Sequence, residues 1–181
     1  SSVGQVRFRL LAAQYARLDD SVRRDAGLRH RWQLLRAALS AVRGKGVVPT
    51  LHDDLKQTTH EQLSGSFGPM PHGADELFTR YFSVKIHGIH FCGPAYYDYP
   101  LGLGFHALSL VFPVVMWTAR WMAVTCGRKQ LATEDIERAL AIVDHQHGFS
   151  AGLATRGCRS RVALLNKLGD IPKLIGAFSG G

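Results

Sequence analysis

From Tyr99 to Ala119 the chain carries no Asp, Glu, Lys or Arg. Across Leu101 to Cys126, LGLGFHALSLVFPVVMWTARWMAVTC, the apolar residues leave no polar face. A helix formed here must be surrounded on most sides by other apolar matter, and that requirement organises everything else. By length it also suffices to cross a bilayer. Against a membrane span, Gly102, Gly104, His106 and Pro113 interrupt the run. Its flanks lack the strong charge asymmetry that orients a span, and amphipathic sequence lies on both sides. The expectation is a buried central helix.

A chain of 181 residues with 46% hydrophobic content suits one domain and can bury a real core without disulfides or metal. Formal net charge is +8, unevenly spread. Residues 1–49 hold ten Lys or Arg against three Asp, a balance of +7, and the remaining residues hold twelve against eleven. Cys92, Cys126 and Cys158 are widely separated, with no CxxC. Such spacing indicates neither a disulfide framework nor a zinc ribbon and fits reduced thiols in a cytoplasmic protein. The start Ser-Ser-Val-Gly, without Met, enters a helical pattern at once, which reads as an excised piece of something longer or a tag remnant.

Phe8, Leu11, Tyr15, Leu18 and Val22 recur at helical spacing, and so do Leu28, Trp32, Leu35, Leu39 and Val42. Two amphipathic helices joined by a turn within 19–27 are expected to pack as an antiparallel hairpin, their apolar stripes inward. Gly44, Gly46 and Pro49 end the second. A short helix is expected over Leu51 to Leu63, with Asp53 and Asp54 near its start, then a mobile loop SGSFGPMPHG. A third long helix runs from Ala74 to about Cys92, followed by the aromatic loop GPAYYDYP. Beyond the central helix, Thr133 is placed to cap a helix with Ile136, Leu140 and Val143 inward and Gly148 at its close. Cys158 to Leu168 makes another, with Val162 and Leu165 inward, Gly169 stops it, and a short Pro-initiated turn starts at Ile171. No run alternates long enough to commit to a sheet. The prediction is an all-α, single-domain bundle of six or seven helices.

The residues able to carry chemistry fall into four groups. His87, His90 and Cys92 stand at i, i+3 and i+5 on the third helix and are metal candidates only if His87 and His90 share a face. Asp144 and His145, with His147 beyond, lie near a helix C-terminus, where a histidine gains from the dipole; Asp144 and His145 diverge by about 100° and do not face each other. Tyr96, Tyr97 and Tyr99 beside Asp98, with His106 on the next helix, either line a cleft or cover the end of the core. Arg7, Arg9, Arg23, Arg24, Arg29 and Arg31 form a basic face, read as solvated: they are scattered and without aromatic interleaving, so nucleic acid is not the expected partner. The GLGF at Gly102 lacks the frame and preceding strand of a dinucleotide fingerprint. No GxSxG, HExxH or EF-hand pattern occurs.

Several stretches together resemble the C-terminal helical region of YkgJ-type cysteine-cluster proteins, the group that includes the flagellin lysine-N-methylases. They are RFRLLAAQYARLD, LRHRWQLLRAALSAVRGKGVVP, ELFTRYFSVKIHGIHFCG, LGLGFHALSLVFPVVMWTARWMA and LATEDIERALAIVDHQHGFSAGL. The resemblance implies a bacterial helical domain working beside a cysteine cluster that chelates iron or zinc; this chain has no such cluster, so it is expected to be either the downstream domain alone or a homologue that lost its metal part. The function it implies is a non-catalytic accessory domain that binds a substrate or partner protein for a cysteine-cluster enzyme. Two alternatives stay open: a fragment of an S-adenosylmethionine-dependent protein lysine N-methyltransferase, and a small-ligand-sensing bundle built on the tyrosine loop.

Overall fold

A computed structural model of the chain describes residues 3–16, 28–49, 52 and 55–179. The fold is all-α. Helix α1 (Val3–Tyr15) packs against α2 (Leu28–Arg43), and a two-residue ladder pairs β1 (Val47–Val48) with β2 (Thr58–Thr59), antiparallel. A single turn, α3 (His60–Leu63), is followed by α4 (Ala74–His87), α5 (Leu101–Ser109), α6 (Val111–Thr125), α7 (Thr133–Phe149), α8 (Arg156–Lys167) and α9 (Asp170–Ser179). Taking α5 and α6 as the two halves of one rod and setting aside the single turn α3, the described residues make a bundle of seven helices.

The uncharged stretch is that rod, and the rest of the bundle wraps its second half. Val111, Val114, Val115, Ala119 and Ala123 are shut off from solvent entirely, and α7 lies along them with Ile136, Ala139 and Val143. Pro113 explains the break at Leu110. Its missing N–H leaves the Ser109 carbonyl without a helical donor, and its ring crowds that carbonyl, while Val114 N–H still reaches the Leu110 carbonyl at 3.2 Å. By length and composition Leu101–Thr125 is also long and apolar enough to cross a membrane. Within the bundle its central residues are covered by protein instead.

Arg120 is the one charged residue of the rod, and it is buried. Its guanidinium lies 5.1 Å from the Phe67 ring and 4.5 Å from that of Phe178, between two aromatic faces that offer a cation some of what water would. Phe67 therefore anchors the SGSFGPMPHG segment, read from composition as a mobile loop, to the core. Trp121 donates from Nε1 to the Lys56 carbonyl at 2.6 Å, tying the chain before β2 to α6.

Three other expectations shift. The helix expected over Leu51–Leu63 survives only as α3; Thr58 and Thr59 are strand, and Asp53 and Asp54 lie outside the described residues. Thr59 is the cap, accepting from Gln62 N–H at 3.3 Å while Gln62 Oε1 accepts from Thr59 N–H at 3.0 Å. Thr133 does not cap α7. Asp135 does the work from inside the first turn, accepting from Ala132 N–H at 2.9 Å and pairing with both ends of the Arg128 fork at 2.7 Å. The short turn from Ile171 is the ten-residue helix α9, with Pro172 in its first turn, where a missing N–H costs nothing, and with Ile171 and Leu174 buried.

Candidate functional site

The largest departure from expectation is on α2. Trp32, Leu35, Leu39 and Val42, the stripe that should face the core, are exposed, with Trp32 at 64% and the others near half. What packs inward is the alanine side of the helix. Ala37 and Ala41 are buried against α1, where Ala12, and Ala16 in the turn that ends the helix, are equally covered. Small residues four apart on both helices let the backbones approach closely. Arg9 fixes the contact by donating from Nε to the Ala41 carbonyl at 2.7 Å, and its guanidinium fills the space a side chain at Gly44 would need. Gly44 itself sits at φ 61°, the left-handed conformation a helix end demands. Arg9 is thus part of the helix packing, not of a solvated basic face. Arg7 is half-buried on α1, and Arg23, Arg24 and the side chains of Arg29 and Arg31 lie outside the described residues.

Beside the stripe, α2 and β1 enclose a groove of about 540 Å³ lined by Arg36, Leu39, Arg43, Lys45, Val47 and Pro49. Among the described residues no carboxylate lines it. Glu61 is turned onto the N–H of Gly46, one of the groove's residues, at 3.0 Å, a bond that also holds its carboxyl below the usual range.

The second assembly is buried. His147 on α7 is 1% exposed, and its Nδ1 lies within hydrogen-bonding distance of two tyrosine hydroxyls, Tyr15 at 2.8 Å and Tyr96 at 3.3 Å. The Tyr96 ring stacks on the imidazole with centroids 4.3 Å apart and meets Tyr99 edge-on at 5.0 Å. Tyr99 donates to the Leu153 carbonyl at 3.0 Å, and the Arg159 guanidinium sits 4.6 Å from its ring centroid while donating to the Tyr97 and Asp98 carbonyls. Burial pushes the hydroxyls of Tyr15 and Tyr96 well above the ordinary tyrosine range and the Cys158 thiol up to about 11. It pulls His147 down to about 3; Lys85 adds to this and Asp144 opposes it. At neutral pH the imidazole is uncharged, and its Nε2 has no hydrogen-bond partner among the described residues.

The tyrosine loop therefore turns inward: Tyr96 and Tyr99 are core residues that lock the loop to α1, α7 and α8. A bond from Gly93 N–H to the Tyr99 carbonyl at 2.9 Å closes it, with Tyr97 and Asp98 left-handed at φ 49° and 54°. His106 is half-buried on α5, outside the cluster that Tyr15, Tyr96 and His147 form. Asp144 points elsewhere, accepting from Tyr81 at 2.9 Å and pairing with Lys85 at 2.7 Å. His145 is exposed, its ring stacked on Phe149.

The expected helix from Ala74 to Cys92 stops at His87, so His87 and His90 share no helical face. Gly88 and Ile89, the latter at φ 53°, turn the chain. His87 donates from Nδ1 to the Ser83 carbonyl at 2.7 Å, and the His90 ring folds over Gly88. Among the described residues no group of three potential metal ligands comes together.

Two further clefts exist. One, about 680 Å³, is lined by Glu61, Gln62, Phe67, Arg128 and Lys129. The other, about 670 Å³, is apolar and lies between α4, α5, α6 and α9, lined by Met70, Phe82, Phe105, Phe112 and Ile175, with Asp75 also on its wall. Neither these nor the α2 groove is lined by Tyr15, Tyr96 or His147. No protein-family model, no curated protein and no solved structure matches the chain. What the geometry defines is a helical bundle with a sealed polar centre and an apolar helix face turned outward.

Proposed function

We propose that this chain is an accessory domain that holds a partner or substrate protein, serving the cysteine-cluster enzyme to which its sequence resemblance points, and that the outer face of α2 is where it holds it. The observation that supports this reading is the exposed stripe Trp32, Leu35, Leu39 and Val42, continued by Val47. Scattered apolar residues on a surface mean nothing, but four large ones aligned on one helix face form a contiguous patch of the kind that marks protein contacts. A tryptophan at its end is the residue type most often found to dominate such contacts.

The test is a photo-crosslinking amino acid placed at Leu35 in the full chain, expressed in its native cell. One discrete protein adduct is expected there, lost in a Trp32→Asp background. The same probe at Val84, equally exposed on α4, should give none. Absence of an adduct at Leu35, or the same adducts from both positions, overturns the proposal.

A second reading, a small-ligand-sensing bundle, is favoured by the apolar cleft beneath Phe105 and Phe112, whose volume falls in the range of ligand sites. On that reading native mass spectrometry of freshly purified protein shows a retained molecule that Phe105→Asp releases. A ligand-free mass for the unaltered protein removes it.

A further inference from the structure

The chemistry around the α2 stripe narrows what can sit on it. We infer that the occupant is an acidic amphipathic helix, laid along α2 with its apolar edge on Trp32, Leu35, Leu39 and Val42 and its carboxylates on Arg36, Arg43 and Lys45. This rests on the partner-binding reading above and adds the partner's chemistry.

Spacing comes first. Residues 32, 35, 39 and 42 follow steps of three, four and three, the a and d positions of a heptad, and such a seam is matched by a second helix whose own apolar residues repeat in the same way. From Trp32 to Val42 the seam rises roughly 15 Å, so about three turns of a partner helix cover it. An extended strand would instead need the free edge of a sheet, and the ladder here is two residues long on each side.

Charge then separates the occupants. Arg36 and Arg43 follow Leu35 and Val42 directly, at the e positions that flank such a seam, where charged residues set the choice of partner. With Lys45 they line the adjoining groove, to which no described carboxylate contributes. None of the three is in an ion pair with a described residue. A second copy of the chain answers this badly: α2, LRHRWQLLRAALSAVR, contains no Asp or Glu, so pairing two of them sets cation beside cation. Nucleic acid would satisfy the cations and leave the apolar seam in water. A helix with Glu or Asp flanking a leucine seam satisfies both.

The probe is a pair of fluorescein-labelled 21-residue helical peptides with Leu at a and d, one carrying Glu at e and g, the other Lys, titrated by anisotropy against the full chain. The Glu peptide is expected to bind at least about tenfold more tightly than the Lys peptide, with the preference reduced at high salt. Leu39→Asp should lower its affinity by roughly thirtyfold or more, with unchanged helicity, since Leu39 is about half exposed. Equal binding of both peptides, or of neither, overturns the inference. So does a dimer in sedimentation that Leu39→Asp dissolves, or a duplex oligonucleotide that competes the Glu peptide away. Any of these results alongside a discrete adduct from the Leu35 probe removes the acidic-helix assignment alone; loss of that adduct removes the partner reading itself.

Discussion

Lowering the pH from 7 to 5 is expected to cost the folded chain about 2 kcal/mol through His147 alone, and about 4 kcal/mol by pH 3. The imidazole titrates near 6.5 in the unfolded chain and is held down to about 3 in the fold, because burial disfavours its cation. Between those two values the unfolded state binds the extra proton and the folded state does not. Stability is therefore fullest above pH 6.5 and drains as pH falls through the window. His60, also lowered by burial, acts in the same direction. Urea titrations at pH 7 and pH 5 on the unaltered chain and on His147→Phe give the measurement. The phenyl ring keeps the stack on Tyr96, while the Tyr15 and Tyr96 hydroxyls lose their nitrogen partner. The variant should be less stable at pH 7 but lose about 2 kcal/mol less on going to pH 5. Parallel losses in the two proteins would show that His147 is already charged in the fold.

His147 also shows what the sequence made legible. Continue the apolar stripe of α7 through Ile136, Leu140 and Val143 by one more step of four and it lands on His147; Asp144 and His145 sit one and two residues off that line. The helical period alone thus separates the buried histidine from the exposed one. Its partner Tyr15 is 132 residues away, and no spacing rule reaches that far. Tyr15 was legible as a core position, while its hydroxyl's destination required the packing of α1 on α7. The rod was legible because an uncharged run can only be covered, and its break at Leu110 follows from Pro113.

On α2 the same period misleads. Two faces of that helix can be buried, one large and apolar, the other alanine-lined, and hydropathy ranks the large one first. The close approach allowed by Ala37 and Ala41 against Ala12 and Ala16 decides the packing instead. Alanines four apart in both helices were the available signal. A stripe left over after the small faces have met is free to serve another chain, which links the misreading to the proposed function. The turn after His87 was legible too, since Gly88 is a poor helix residue, but the apolar spacing of Ile86 and Ile89 argued for continuing the helix, and the glycine won.

Replacing Gly104 with Ala is expected to destabilise the fold by about 2 to 3 kcal/mol, while the same change at Gly102, two residues earlier on α5, is expected to stabilise it by up to about 1 kcal/mol. By propensity alone both substitutions should help, since alanine is the better helix former by about 1 kcal/mol. At Gly102 a methyl group meets nothing within 4 Å and propensity has the field to itself. At Gly104 it would be driven into the Phe91 carbonyl and against the Cys92 side chain. That obstacle is backbone and has no rotamer to escape into. Phe91 is itself held, its ring buried and edge-on to Phe105 with centroids 6.1 Å apart. Either α5 moves away from the segment 91–92 or the segment shifts with the aromatic loop behind it, and both loosen the contacts that seat Tyr96 and Tyr99. For a chain of this length the melting temperature of Gly104→Ala should fall by roughly 4 to 12 °C. Because the two sites share one helix, the difference between them isolates the contact from the propensity, and thermal melts of the two variants side by side decide it. Stabilisation of both would mean that α5 does not lie against the Phe91 carbonyl, and the seating of the whole tyrosine loop would have to be redrawn.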